Sequence, residues 1–275
     1  MSFEKIPISI PERKETSTER LESWLREKAE ELKEMGFPVN EELRIEETQF
    51  IGVYPREKIE EDRGKVAQRK KEWMEKDIRE RKFGIEKIGE KFEKITTFLL
   101  NKHLENAGLV VVRAAEYDDI FQGVDHLVLD IKTGNVVAGI DSSVKSFDKE
   151  YEKKAQKVLE MNLGGGARIK YGVIAKKEGE GIKIEKGRLQ QVPVFLFNLP
   201  QTEVSNLIEE FQPEKTSSEE ERVFRFFLAS LQYQTENLTR KDLHAFPQLR
   251  ERIDIFQTKI KEISNKEGAK ETDLS

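Results

Sequence analysis

VDHLVLDIKTGNVVAGIDSSV, Val124 to Val144, reads as two short strands joined by a tight turn, Val124–Ile131 and Asn135–Val144. A two-residue turn would force β-branched Thr133 to positive φ, which side-chain sterics disfavour. A three-residue loop avoids this by placing Lys132 and Thr133 in a type I turn and giving Gly134 the left-handed position. Ile131 then pairs with Asn135, and counting back sets Leu129 against Val137, Leu127 against Gly139 and Asp125 against Asp141. Opposed residues share one side of the ribbon with Cβ atoms roughly 4.5–5.5 Å apart. Two carboxylates held in this way repel, so one is protonated, solvent screens them, or a cation lies between them.

Outward from the hairpin, the stretch from about Phe83 to Phe211 holds most of the Val, Ile and Phe runs. Ile85, Ile88, Phe92, Ile95 and Leu99 form the wide stripe of a helix lying on a sheet, ending near Gly108. Leu109–Ala115 is a continuous apolar run, as in a buried strand. After the hairpin, residues 147–162 form an amphipathic helix closed by Gly164-Gly165-Gly166. That triplet follows a helix and lacks the Gly-Lys-Ser/Thr end of a phosphate loop, so it reads as a helix C-cap. Strands follow at 167–177, 181–186 and 192–197, then a helix opened by Pro200. The order is helix, strand, strand, strand, helix, strand, strand, which predicts an α/β fold with a mixed central sheet and added N- and C-terminal helices.

The flanks are different in kind. Charged residues are 37% of the 275 and hydrophobic residues 36%, with a formal net charge of −5. Residues 1–82 read as a charged helical extension. It comprises an extended arm over 1–11, a helix capped by Thr18 with a stripe of Leu21, Trp24, Leu25 and Leu32, and a long helix over 57–82. The long helix has its apolar seam at Ile59, Val66 and Trp73. Residues 83–212 are the α/β core, 213–265 a helical hairpin (217–238 and roughly 241–265), and 266–275 a disordered tail. No apolar run is long enough to span a membrane and no N-terminal signal is apparent, so a soluble, cytoplasmic chain is expected. The absence of cysteine excludes disulfides, zinc ribbons and thiol catalysis, and with three histidines any metal must be held by oxygen.

With Gly123-Val124-Asp125 opening the second strand and Ile140-Asp141 in the third, residues 85–197 resemble the PD-(D/E)xK nuclease superfamily. The resemblance implies a restriction-endonuclease-like α-β-β-β-α-β core. It also implies Mg²⁺ or Mn²⁺ held by Asp125 and Asp141, an additional glutamate from the first core helix, and phosphodiester hydrolysis in a nucleic acid. The superfamily's acid-x-lysine triplet is here Asp141-Ser142-Ser143, with serine where lysine belongs. Two lysines stand in as candidates. Lys145 shares the strand face of Asp141, but its Cα is roughly 13 Å away at ~3.3 Å per residue, so it needs a bulge to reach the site. Lys154 flanks the apolar stripe of the next helix and can snorkel toward the sheet edge.

Each acid also has an ordinary reading. Asp125 sits where strand-opening turns favour aspartate, whereas a mid-strand carboxylate such as Asp141 is otherwise unfavourable. Glu93 is the candidate helix acid, with Glu86 and Glu90 as competitors on a solvated face. Glu116, Asp118 and Asp119 form an acidic loop that either feeds a metal or makes a turn. His103 reads as a core histidine, and His126 points away from Asp125. The basic run Lys145, Lys149, Lys153, Lys154, Lys157, Arg168 and Lys170 is the candidate contact for nucleic acid, against a null of balanced exposed pairs. The alternative function is a catalytically inactive nuclease-like scaffold that binds nucleic acid or protein, with the charged helices at 57–82 and 217–265 as partner surfaces.

Overall fold

A computed structural model describes residues 15–80, 85–145, 149–179, 181–239 and 243–272. The arm expected over 1–11 lies outside them. The elements are α1 (Ser17–Glu34), α2 (Arg56–Glu80), α3 (Ile85–Leu104), β1 (Leu109–Arg113), α4 (Glu116–Gln122), β2 (His126–Asp130), β3 (Asn135–Val144) and α5 (Lys149–Leu163). They continue with β4 (Ala167–Glu178), β5 (Gly181–Val192), β6 (Val194–Leu199), α6 (Gln201–Glu209), α7 (Ser218–Thr239) and α8 (Pro247–Thr272). The fold is mixed α/β, built on a four-stranded sheet of order β1-β2-β3-β6. β1, β2 and β3 form an antiparallel meander and β6 lies parallel to β3. β4 and β5 make a separate two-stranded ribbon, longer than the alternation of residues suggests.

Helices cover both sides of the sheet. On one side His126 of β2 meets Thr97 of α3, and on β6 Phe195 stacks with Phe256 of α8 while Phe197 meets Phe92 of α3 and Phe227 of α7. On the other side α5 faces Asp141 and Leu196, which are register partners on β3 and β6. One apolar cluster runs from Leu21 of α1 through the sheet to Ile263 of α8, so the terminal helices share the core of the sheet. In α1 it is the stripe of Leu21, Leu25 and Leu32 that is buried, each contributing about 1.5–3 kcal/mol by leaving water.

Several sequence expectations are corrected. The cap of α1 is Thr16, not Thr18. Its hydroxyl accepts from Glu19 N while the Glu19 carboxylate accepts from Thr16 N, a reciprocal box that starts the helix at Ser17. Glu116 to Asp119 are not a loop but the first turn of α4, where three acids face the positive end of the helix. The tail does not break off at 266, since α8 continues to Thr272.

The most informative correction is in the hairpin. Asp130 pairs with Asn135, so the loop has four residues, 131–134, and Gly134 takes the left-handed conformation at φ 77°. A four-residue loop alone would move Asp141 to the His126 side. The ladder steps instead from Leu129↔Val136 to Val128↔Ala138, leaving Val137 as an extra residue on β3. After this bulge His126 faces Ile140, and Asp125 N donates to the same Ile140 O at 2.9 Å, which leaves Asp125 next to the position of Asp141.

Candidate metal and phosphodiester site

Five elements converge at one end of the sheet. Asp125 precedes β2, Asp141 sits in β3, Glu93 comes from α3, Asp119 from α4 and Lys154 from α5. Asp125 and Asp141 are 7% and 8% exposed. Gly123, left-handed at φ 65°, ends α4 and turns the chain toward Asp125 without a side chain against Asp141.

Carboxylate oxygens of Glu93, Asp119 and Asp125 all lie within 4.8 Å of one another. Asp141 borders this triad, and its Oδ1 is 2.6 Å from Lys154 Nζ. Asp125 Oδ2 also accepts from Ser142 N at 2.5 Å, which fixes the carboxylate across the strand pair. Lys145 is elsewhere. Its Nζ pairs with Glu150 at 3.1 Å and its carbonyl accepts from Asn198 Nδ2, so the strand lysine does not reach the acids. Glu116 is not brought in either, because it points outward to Lys70 at 2.6 Å.

Two arginines that the sequence reading missed complete the site. Arg44 donates to Asp119 at 2.9 Å and to Glu93 at 3.0 Å, and Arg113 Nη2 is 2.5 Å from Glu93 Oε2. Arg113 ends an otherwise apolar strand and is 1% exposed, and a buried cation in such a run demands an acidic partner. That was the available signal. Arg44 carried none, being brought in by a bridge between its backbone and Arg113.

The electrostatics follow from this packing. Burial pushes the Glu93 carboxyl up, but Arg113 and Arg44 outweigh it and hold the group below its usual range. Burial raises Asp119 against the pull of Arg44, and raises Asp141 against that of Lys154. Asp125 is raised furthest, by burial and then by the charges of Asp119, Glu93 and Asp141. Glu93, Asp119 and Asp141 are each paired with one or two of Arg44, Arg113 and Lys154.

Behind the site, His126 is buried and neutral. The Glu93 carbonyl near its Nε2 (3.1 Å) can only accept, so Nε2 carries the hydrogen and Nδ1 faces the Ser142 hydroxyl at 3.3 Å. Asp118 anchors α4 from the other side, accepting from Lys170 N at 2.7 Å and Tyr171 N at 2.8 Å. Lys170 itself is no contact for a substrate. Its Nζ is buried against Asp62 with Tyr54, Tyr117 and Tyr171 around it. His103 stacks on Phe224 and pairs with Glu220. No family model, curated protein or solved structure matches the chain. Among the described residues no helix is long and apolar enough to cross a membrane.

Proposed function

We propose that the chain is a divalent-cation-dependent phosphodiesterase of the PD-(D/E)xK type acting on nucleic acid. The observation that carries this reading is the 2.6 Å approach of Lys154 to Asp141, which supplies from α5 the lysine that Ser143 lacks on β3. The mixed sheet β1-β2-β3-β6 and the acid that Glu93 contributes from α3 are consistent with it.

The donor set suits a hard cation, since it consists of carboxylate oxygens and one of them, on Asp125, is buried among like charges. Asp125 and Asp141 are the principal ligands, with Asp119 and Glu93 beside them. Mg²⁺ or Mn²⁺ there supplies Lewis acidity toward a phosphoryl oxygen and lowers the pKa of a bound water. Lys154 orients the attacking water and faces the charge that develops on the phosphoryl oxygens. Arg44 and Arg113 keep Glu93 ionised and fix its position.

A second reading, a scaffold without chemistry, draws on the same ion pairs, because Glu93, Asp119 and Asp141 each have a cationic partner within the chain. Cleavage assays separate the two. Labelled single- and double-stranded DNA and RNA are incubated with Mg²⁺, Mn²⁺ or EDTA, with wild type and Asp141→Asn prepared side by side. Metal-dependent cleavage that Asp141→Asn abolishes supports the enzyme. Equal activity in both preparations, or none in either, favours the scaffold.

A further inference from the structure

Helix α2 outruns the body of the protein. Its seam residues Ile59 and Val66 are 2% and 4% exposed, but Trp73, seven residues on, is 41% exposed and Met74 53%. From Ala67 to Lys76 every residue is exposed, ten in succession covering all faces of the helix. At 1.5 Å per residue this is an exposed stretch of roughly 15 Å. Its charge is opposite to that of the chain. Residues 63–76 contain six basic residues and two acids, against a net charge of −5 overall, while α5 is nearly balanced. The rod leaves the body beside the acid cluster, because Lys70 is held 2.6 Å from Glu116, one helical turn before Asp119 on α4.

We infer that the distal half of α2, from Arg63 to Lys76, is an arm that binds duplex DNA next to the acidic site. This rests on the reading of that site as a nucleic-acid phosphodiesterase. Acids that hold a metal repel a polyanionic substrate, so affinity must come from a separate positive surface, and this arm, with six basic residues against two acids, leaves the body beside them. An exposed helix about 10–12 Å across fits the ~12 Å major groove of B-DNA, whereas the corresponding groove of A-form RNA is too deep and narrow for side chains to read. Trp73, with Arg69 5.8 Å from its ring, and Met74 add apolar contacts of the kind that thymine methyl groups accept.

The test is made in EDTA, so that binding is measured without cleavage. Affinity for a fluorescent DNA duplex is followed from 20 to about 200 mM KCl, a range in which phosphate contacts dominate salt dependence, for wild type and Arg69→Glu/Lys71→Glu. Both positions are exposed, and unchanged melting confirms that the fold is intact. The double variant is expected to bind at least tenfold more weakly at ~100 mM salt, with the slope of log K against log salt reduced by about 2. In Trp24→Phe protein, duplex DNA is expected to quench the fluorescence of Trp73. Equal affinity and slope in the double variant, absence of quenching, tighter binding to RNA duplex or single strands, or no binding at low salt would each overturn the arm. Loss of binding in the double variant from a wild type that binds but never cleaves would keep the arm and discard the enzyme. Cleavage indifferent to the double variant would do the reverse.

Discussion

Lys154 Nζ lies 2.6 Å from Asp141 Oδ1, so a cation reaches the middle of β3 from the crossover helix and not from the strand. Lys145, four residues on and just past the end of β3, turns instead to Glu150. The two lysines therefore make an internal comparison. Lys154→Ala is expected to lower metal-dependent cleavage by about 10²-fold or more, the scale seen when a group that faces transition-state charge is removed. Lys145→Ala should leave the rate within about twofold, and its stability within ~0.5 kcal/mol, because it gives up only an exposed ion pair. Cleavage rates of both variants in Mn²⁺ check this, and a loss confined to Lys145→Ala would reverse the assignment.

Metal should stabilise the folded chain. A dication would offset the like charges that Asp119, Glu93 and Asp141 place around Asp125, and binding to the folded state alone adds about 2.7 kcal/mol at a hundred times Kd. A rise in melting temperature with Mn²⁺ or Mg²⁺ over EDTA is therefore expected in wild type. It should be absent in Asp125→Asn, which keeps the shape of the side chain without its charge. An equal rise in both would place the metal elsewhere.

The β2–β3 register that brings Asp125 and Asp141 near each other was legible because strand alternation and a glycine-bearing turn leave few registers. The route to it was not, since a four-residue loop and a bulge at Val137 give the same result as the simpler loop. Glu93 was ambiguous because Glu86 and Glu90 repeat on the same helix, and only Arg113 on β1 and Arg44 from a distant segment select among them. α4 escaped notice because seven residues are too few for a period, although three acids in a first turn were a hint. The arm was visible only as a seam. Nothing in Ile59, Val66 and Trp73 tells a reader that the last of them runs past the core.

Two buried groups give the stability opposite slopes with pH. His126 is neutral in the fold, its pKa lowered to about 4 by burial. Its contribution is complete above an unfolded pKa of ~6.5 and is lost as pH falls through 4, about 3 kcal/mol in all. Burial raises Asp118 to about 7 in spite of its two backbone donors. Its term is complete below ~3.8 and is lost as pH rises through 7, about 4 kcal/mol. Single variants separate them. His126→Gln should flatten the acid limb between pH 6.5 and 4.5 in urea titrations. Asp118→Asn turns an acceptor into a donor facing Lys170 N or Tyr171 N, and should cost about 1–3 kcal/mol at pH 5, where the native group is mostly protonated. An unchanged acid limb in His126→Gln would show that the imidazole is not what titrates.

Gly134 ties the hairpin turn to the second ribbon. Its φ of 77° is left-handed, its carbonyl accepts from Ala175 N at 2.8 Å, and a Cβ there would collide with the Ala175 carbonyl oxygen. β4 cannot withdraw, because it is laddered to β5 on both sides of that residue. Gly179, at φ 62°, has open space where its Cβ would be. The two glycines therefore separate backbone strain from collision. Gly179→Ala should cost about 1 kcal/mol, the strain alone. Gly134→Ala should cost about 3 kcal/mol or more, because the turn must move off β4. That movement would act on the site as well, since the β2–β3 ladder that reaches His126 and Ile140, the neighbours of Asp125 and Asp141, begins at this turn. Mn²⁺ stabilisation should therefore weaken in Gly134→Ala and persist in Gly179→Ala. Equal losses of stability in the two variants, measured by urea unfolding, would show that Ala175 exerts no constraint on the turn.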